Sequence, residues 1–385
     1  MKLTLSAKPF TADLKAVLPA VANRSGLPIL SGVRLEASDD GLVIEATDLE
    51  LTTRRVVREG VVVDAAGSVV VPAKALAKAV AAMAEPEIAL ESALNDGRSS
   101  LDVRAGTRTV TLQGWATDDW PAVPQVAAID PIASIDASTA TDVFERAVLC
   151  ASDDDSRPVL TSVALFFTED PPSVEVVATD SYRLGVARVP LATAPRASAS
   201  PLLVPARAIR LLAKQVKGVG GAVQIGALEA SNGDAPRASR MGFALPGAEW
   251  TVRTVEGEFP NWRQVVPEPE GGLLEFDPEE LGSALRAASA VRHTKGAQVR
   301  LSLDRTCSIA VSEHDLGEMR EALTGASFSP NGAGAMEIAF NSDYLADAIR
   351  FCGVERGRMW VRDGLKAVLF DSPDRRYALM PIRTP

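Results

Sequence analysis

One pattern is written three times along this chain. Pro-Ile-Leu-Ser-Gly-Val-Arg-Leu at 28–35 runs through a short turn into Gly-Leu-Val-Ile-Glu-Ala-Thr-Asp at 41–48. Pro-Val-Leu-Thr-Ser-Val-Ala-Leu at 158–165 leads in the same way into Ser-Val-Glu-Val-Val-Ala-Thr-Asp at 173–180. Leu30 to Leu160 is a step of 130, and Asp48 to Asp180 a step of 132. A second landmark keeps the register: Val-Pro-Ala-Lys-Ala-Leu at 71–76 and Val-Pro-Ala-Arg-Ala-Ile at 204–209, with a degenerate third copy, Phe-Asn-Ser-Asp-Tyr-Leu, at 340–345. A period of 130–136 residues is too long for a solenoid unit and matches a whole domain. Three similar domains in tandem suit a symmetric assembly better than a single catalytic cleft.

Each repeat reads as a doubled half. In the first, a strand at 2–7 precedes a helix from about Pro9 to Ala22, with Leu14, Val17, Leu18 and Val21 on one face. Thr11 or Asp13 offers N-terminal capping chemistry. Strands at 30–37, 42–47 and 50–58 follow, the first two joined by a tight turn at Asp39-Asp40-Gly41. A strand at 67–71 leads into a second helix at 73–84, opened by Pro72, and strands at 87–92, 99–104 and 107–113 complete the unit. Helices at 139–151 and 205–217, then 278–292 and 342–353, repeat the order. Pro-rich links at Trp120–Pro124 and Val266–Gly272 set domain limits at 1–124, 125–267 and 268–385.

At 385 residues and 46% hydrophobic, the chain can bury a core in every repeat. No apolar run approaches the ~18 residues of a membrane helix, and the alternating Met1–Lys8 reads as a strand, not a signal peptide. Three scattered cysteines, Cys150, Cys307 and Cys352, form no disulfide framework; they read as small buried hydrophobes in a reducing cytoplasm.

Formal net charge is −10, yet the positive charge is pooled. The second helix of repeat one carries Lys74 and Lys78 with no acid before Glu85. Its counterpart in repeat two carries Arg207, Arg210, Lys214 and Lys217 and no acid. Spacings of 3, 4 and 3 put these four on one face, away from Ile209, Leu212, Ala213 and Val216. Arg24 adds charge after the first helix. Lysine and arginine near a helix C-terminus also complement its dipole. Two equivalent helices that both exclude acids point instead to phosphate-backbone contact. No aromatic interleaves the basic residues, and no recognition-helix or zinc-finger pattern occurs, so the contact is sequence-independent.

Catalytic signals are missing. His293 and His314 stand in no metal-ligand spacing, and there is no P-loop, nucleophile elbow or HExxH. Asp153-Asp154-Asp155 is a solvated loop or, alternatively, a carboxylate cluster for a metal. The recurring Thr-Asp at 47–48 and 179–180 reads as turn chemistry.

Several stretches, in order from Met1 to Arg383, resemble the bacterial β sliding clamp family, the processivity subunit of replicative DNA polymerase III. They are Leu27–Leu30 with Asp48–Glu50, Ala178–Leu184, Glu256–Trp262 with Val265–Pro267, and Met380–Arg383. The resemblance implies an α+β fold of three tandem DNA-clamp domains, each with two helices packed on antiparallel sheets. It implies a head-to-tail homodimer closing a ring, with helices lining the hole. Its implied partners are double-stranded DNA, a second copy, a clamp-loader ATPase, and polymerases carrying a short clamp-binding peptide. It implies no catalysis, no cofactor, no metal and no membrane, and a cytoplasmic, nucleoid-associated protein. Arg24, Lys74, Lys78, Arg207, Arg210 and Lys214 would touch DNA.

By motif, the family's peptide pocket would be walled here by Arg157, Leu160, Thr179, Ser181, Tyr182, Arg183, Leu184, Pro260, Val265, Asn341, Tyr344, Ala378, Met380, Pro381, Ile382 and Arg383. Leu, Val, Pro and Met would supply the floor, while Arg and Asn orient the backbone. Val110 and Leu112 with Ala290 and Val291 would meet across the dimer. The chain departs from the family at Tyr182, where many members have histidine, and in ending Arg383-Thr384-Pro385. The third repeat also departs, with Asp343 and Asp347 beside Arg350 on its second helix. Two rival readings are a metal-dependent DNA-modifying enzyme using Asp153–Asp155 and a repeat scaffold that never encircles DNA.

Overall fold

The repeat of the sequence becomes a repeat of chain path. In the computed structural model, all residues are described except 24, 84, 96–97, 124–125, 127–130, 196–200, 230–237, 292–295, 314, 333 and 384–385. The first repeat runs strand Lys2–Ser6, helix α1 (Ala7–Val17), strands Gly32–Ser38, Gly41–Thr47 and Leu51–Val57, strand Gly67–Pro72, helix α2 (Ala73–Ala81), and strands Glu87–Asn95, Arg98–Ala105 and Arg108–Gln113. The strand at Val61–Ala65 has no counterpart in the sequence reading. Its half-exposed pattern, with Asp64 at the outer side, gave no alternation long enough to stand out.

Helix α1 begins two residues before Pro9, which the first turn accommodates because its missing N–H has no intrahelical partner. Its N-cap is Ser6, whose side chain makes no capping bond. Thr11 instead donates back to the Ala7 carbonyl at 2.7 Å, and Asp13 faces Arg55 at 3.8 Å, so neither caps the helix. The turn at Asp39-Asp40-Gly41 is as expected: Ser38 pairs with Gly41, whose φ of +119° puts any Cβ 2.3 Å from the Val57 carbonyl.

Helices α3 (Ala137–Ala147), α4 (Ala206–Val216), α5 (Pro278–Ala288) and α6 (Ser342–Cys352) occupy the matching places in the later repeats. Asp277 caps α5 through Glu279 and Glu280, Asn341 caps α6, and Gly353 closes α6 in the left-handed conformation.

The chain packs as two compact units, Met1–Ser138 with Gln215–Thr254, and Thr139–Lys214 with Val255–Pro385. In the first unit an eight-stranded antiparallel sheet runs from Pro131–Asp136 through Ala222–Glu229, Ala238–Leu245 and Ala248–Arg253, then Leu51–Val57, Gly41–Thr47 and Gly32–Ser38 to Gly67–Pro72. A seam within it joins two repeats: Thr52 opposes Thr251, Thr53 opposes Trp250, and Arg54 reaches Glu249 at 3.3 Å. In the second unit a nine-stranded antiparallel sheet has the equivalent seam, where Arg183–Pro190 pairs with Arg375–Leu379. Leu184 opposes Ala378 and Gly185 opposes Tyr377. A Cβ on Gly185 would stand 2.5 Å from the Phe351 ring and 2.7 Å from Cys150 Sγ, so only glycine fits there.

Two smaller sheets complete the units. Among the described strands, Arg108–Gln113 is an edge of one, bonded only to Arg98–Ala105, and Gly317–Ala322 an edge of the other, bonded only to Ser308–Glu313.

The three cysteines are free and buried, each at most 6% exposed, and burial pushes the Cys352 thiol up to about 12. All three are therefore expected to resist iodoacetamide at pH 8 in the native protein and to react completely in denaturant. Rapid native labelling of even one thiol, read by mass spectrometry, would contradict this packing.

Candidate functional site

The turn at Thr179–Arg183 is built by side-chain-to-backbone bonds. Asp180 Oδ1 accepts from the backbone N–H of Tyr182 at 2.9 Å and of Arg183 at 3.0 Å. Thr179 Oγ1 accepts from Ser181 N–H at 3.2 Å and donates to the Arg183 carbonyl at 2.7 Å. These bonds hold Ser181 at a φ of +80°. The first repeat copies the device: Asp48 accepts from Glu50 and Leu51, Thr47 accepts from Leu49, and Leu49 has a φ of +75°. The recurring Thr-Asp is thus turn chemistry.

Beside the second of these turns, the second unit holds a groove of about 290 Å³. It is lined by Leu160, Thr179, Ser181, Tyr182, Arg183, Leu184, Pro260, Trp262, Val265, Ala367, Ala378 and Met380. Leu160, Leu184 and Ala378 are buried in its base. Tyr182, Val265 and Met380 stand 61%, 57% and 44% exposed around it, an open cluster of large apolar side chains of the kind that marks an interaction site. The segment from Met380 to Ile382 is docked: Met380 N–H donates to the Tyr182 carbonyl at 2.9 Å, and Ile382 N–H to the Ala339 carbonyl at 2.7 Å.

The matching seam of the first unit has the same backbone and different side chains. Arg253 N–H donates to the Glu50 carbonyl at 2.8 Å, as Met380 does to Tyr182. The side chains there form a Glu50–Arg253 ion pair at 3.3 Å, and the facing residues are Thr52 and Thr251 in place of Leu184 and Ala378. Leu30, the counterpart of Leu160, is buried with Trp120 and Trp115, and Trp120 Nε1 donates to Glu45 at 2.6 Å. The repeat thus supplies the scaffold at both seams, and the second one carries an apolar lining.

Ten of the residues expected at the pocket line this groove. Six do not: Arg157, Asn341, Tyr344, Pro381, Ile382 and Arg383. Arg157 reaches its edge by donating to Ser181 Oγ at 3.2 Å. Asn341 Oδ1 is the N-cap of α6, accepting from the backbone N–H of Asp343 and of Tyr344. Tyr344 lies under Arg183, whose guanidinium carbon is 4.0 Å from the ring centroid. Trp262 and Ala367 line the groove and were not foreseen. Trp262 stands two residues after Pro260 in a stretch already singled out, whereas Ala367 sits in a loop with no repeat signal.

Arg183 is held from three sides. Its Nε meets Asp180 at 2.9 Å, its Nη1 meets Asp347 at 2.5 Å, and its plane faces Tyr344. Burial lifts the Asp347 carboxyl above the usual aspartate value, only partly offset by Arg183 and Arg350. Acidification therefore protonates it sooner than an exposed aspartate.

The basic helix faces lie where the spacing put them. Lys74 and Lys78 on α2 are exposed over buried Leu76, Ala79 and Val80, and Lys74 Nζ donates to Asn23 at 2.9 Å. Arg207, Arg210 and Lys214 on α4, with Lys217 just beyond it, are exposed, while Ile209, Leu212, Ala213 and Val216 are buried. Arg24 lies outside the described residues. On α6 the acids are partly accounted for by Asp347, which is turned onto Arg183 with Arg350 at 3.5 Å.

Val110 and Leu112 are half-buried on the edge strand Arg108–Gln113. Ala290 and Val291 lie in the turn after α5, packed near the other edge strand, Gly317–Ala322. Asp154 accepts from Ser156 N–H and pairs with Arg157 at 3.4 Å. Among the described residues no group of three His, Cys, Asp or Glu is placed to hold a metal ion, and no helix is long and apolar enough to cross a membrane. His293 and His314 lie outside the described residues.

Three family models match the chain in series: DNA polymerase III beta subunit, N-terminal domain over residues 1–124, central domain over 134–261, and C-terminal domain over 263–383. A beta sliding clamp of Synechococcus elongatus is 27% identical over 354 residues, covering 91% of this chain and 90% of that protein. The crystal structure of the DNA polymerase sliding clamp of Bacillus subtilis superimposes with a TM-score of 0.90 over 100% of both chains at 21% identity. That of the Pseudomonas aeruginosa sliding clamp bound to griselimycin gives 0.85 over 100% of both chains at 25% identity. The three repeats are three tandem clamp domains, and the chain belongs to the DNA polymerase III beta subunit family, the sliding clamps that serve that polymerase as non-catalytic processivity factors.

Proposed function

We propose that two copies of this chain close head to tail into a ring around duplex DNA, and that the groove beside Tyr182 takes a short peptide from polymerases and other replication proteins. The observation that carries the ring is the pairing pattern of equivalent strands. In each repeat the first three-stranded meander ends on an outer strand: Leu51–Val57, Arg183–Pro190 and Gly317–Ala322. The second meander ends on Arg108–Gln113, Ala248–Arg253 and Arg375–Leu379. Leu51–Val57 pairs with Ala248–Arg253, and Arg183–Pro190 with Arg375–Leu379. Gly317–Ala322 and Arg108–Gln113 are left as edges among the described strands. A second copy completes the third seam twice over, and a head-to-tail contact that closes leaves neither of these two edges open.

The domain limits that go with this reading are 1–124, 125–267 and 268–385. The packing units cut the middle repeat because its strands at 131–136 and 222–253 extend one sheet, while its strands at 162–205 extend another. A clamp-loader ATPase that opens the ring belongs to the same reading, as do the cytoplasm and association with the nucleoid.

Duplex DNA is the ligand for the acid-free helix faces. Lys74, Lys78, Arg207, Arg210 and Lys214 are exposed at the positions this requires, and Arg24 is proposed with them. Replacing Arg210 and Lys214 with alanine is expected to weaken duplex binding equally for unrelated sequences. The slope of log K against log salt should fall by roughly one for each lost contact. A loss confined to one sequence, in fluorescence anisotropy across a salt series, would contradict backbone contact.

A further inference from the structure

We propose that Asp347 is a positioning residue for the peptide groove, setting the orientation of Arg183 from outside the groove. The inference rests on the reading of that groove as a peptide site. Asp347 is absent from the groove lining, whereas Arg183 is part of it. Arg183 is only 11% exposed at its side chain, and the Asp347 carboxylate is 2.5 Å from its Nη1. Tyr344, three residues before Asp347 on α6, faces the same guanidinium at 4.0 Å. Residues three apart share a helix face, so α6 of the third repeat presents one carboxylate and one ring to one arginine of the second. Asp180, on the turn itself, takes Nε at 2.9 Å.

A guanidinium has five N–H donors in a rigid fork. With Nε fixed by Asp180 and Nη1 by Asp347, the plane cannot rotate about the end of the side chain. A planar donor edge of fixed direction suits a backbone carbonyl of an extended peptide, with no ordering left to do at the moment of binding. Without Asp347, Arg183 keeps its charge, its Asp180 bond and its Tyr344 ring contact, but its Nη1 loses its partner and the fork its set direction. Ligand affinity then falls although no group lining the groove has changed.

The test is a double-mutant cycle read by calorimetry with a peptide carrying spaced Gln, Leu and Phe anchors. The full-length chain is compared with Asp347→Leu, Arg183→Met and the double variant. Asp347→Leu keeps the side-chain size and removes the acceptor for Nη1; it is expected to weaken binding about 10-fold, near the usual worth of a charge-assisted bond. Arg183→Met should weaken it at least as much. The double variant should bind like Arg183→Met alone, because Asp347 acts through Arg183. Asp347→Leu binding as tightly as the unchanged chain would overturn the proposal. So would an undiminished Asp347→Leu loss in the Arg183→Met background, the signature of a purely structural role. An unchanged chain that binds no peptide overturns the groove reading and this inference together.

Discussion

A chain shortened after Leu379 is expected to lose peptide binding altogether while keeping its dimer and its hold on DNA. The strand Arg375–Leu379 ends at that residue, and its register against Arg183–Pro190 is complete without the tail. The truncation removes Met380 from the groove, together with the bonds from Met380 to Tyr182 and from Ile382 to Ala339. It leaves in place the buried cluster under the groove, which includes Leu184, Trp262, Leu369 and Ala378. Two large apolar anchors of a ligand contribute roughly 3–6 kcal/mol when buried, before ordering costs. Losing one wall and the docked tail therefore takes a micromolar site, about −8 kcal/mol, below detection. Unchanged affinity by calorimetry would place the partner site elsewhere. Loss of the dimer as well would show that the tail supports more than the groove.

Replacing Val110 and Leu112 with lysine is expected to convert the protein to monomers. Both side chains are half-buried on a strand whose far edge has no partner among the described strands. Lysine on an edge strand is a device by which proteins prevent edge pairing. The third seam would then have to bury two charges, each costing several kcal/mol. The variant should sediment as a single chain at micromolar concentration and fail to stay on circular DNA, yet still bind the peptide, whose groove lies in the other packing unit. A variant that remains dimeric would remove Arg108–Gln113 from the interface.

How much of this was legible in the sequence depended on whether a signal was local and repeated. The α4 face was readable from spacing alone, because buried Ile209, Leu212, Ala213 and Val216 alternate with exposed Arg207, Arg210 and Lys214 at helical period. The Thr-Asp turns were readable because the same two side chains recur and their chemistry is local. Seam pairing was not, because nothing in Arg183–Pro190 names Arg375–Leu379 as its neighbour. The capping role of Asn341 was missed for a similar reason: only the fold shows which residue ahead of a helix caps it. Thr11 and Asp13 failed as caps because α1 starts earlier than its apolar stripe, at Ala7. Ala367 carried no signal, since a small residue in an irregular loop acquires a function only from what folds against it.

Topological linkage is the most direct measure of the ring. The protein is loaded onto a nicked circular duplex with a clamp-loader ATPase, separated from free protein, and the DNA is then cut once by a restriction enzyme. Protein that stays on the circle through high salt and leaves when it is cut, sliding off the ends, is the expected result. Protein that stays on the linear product, or that leaves the intact circle as salt rises, would contradict encirclement.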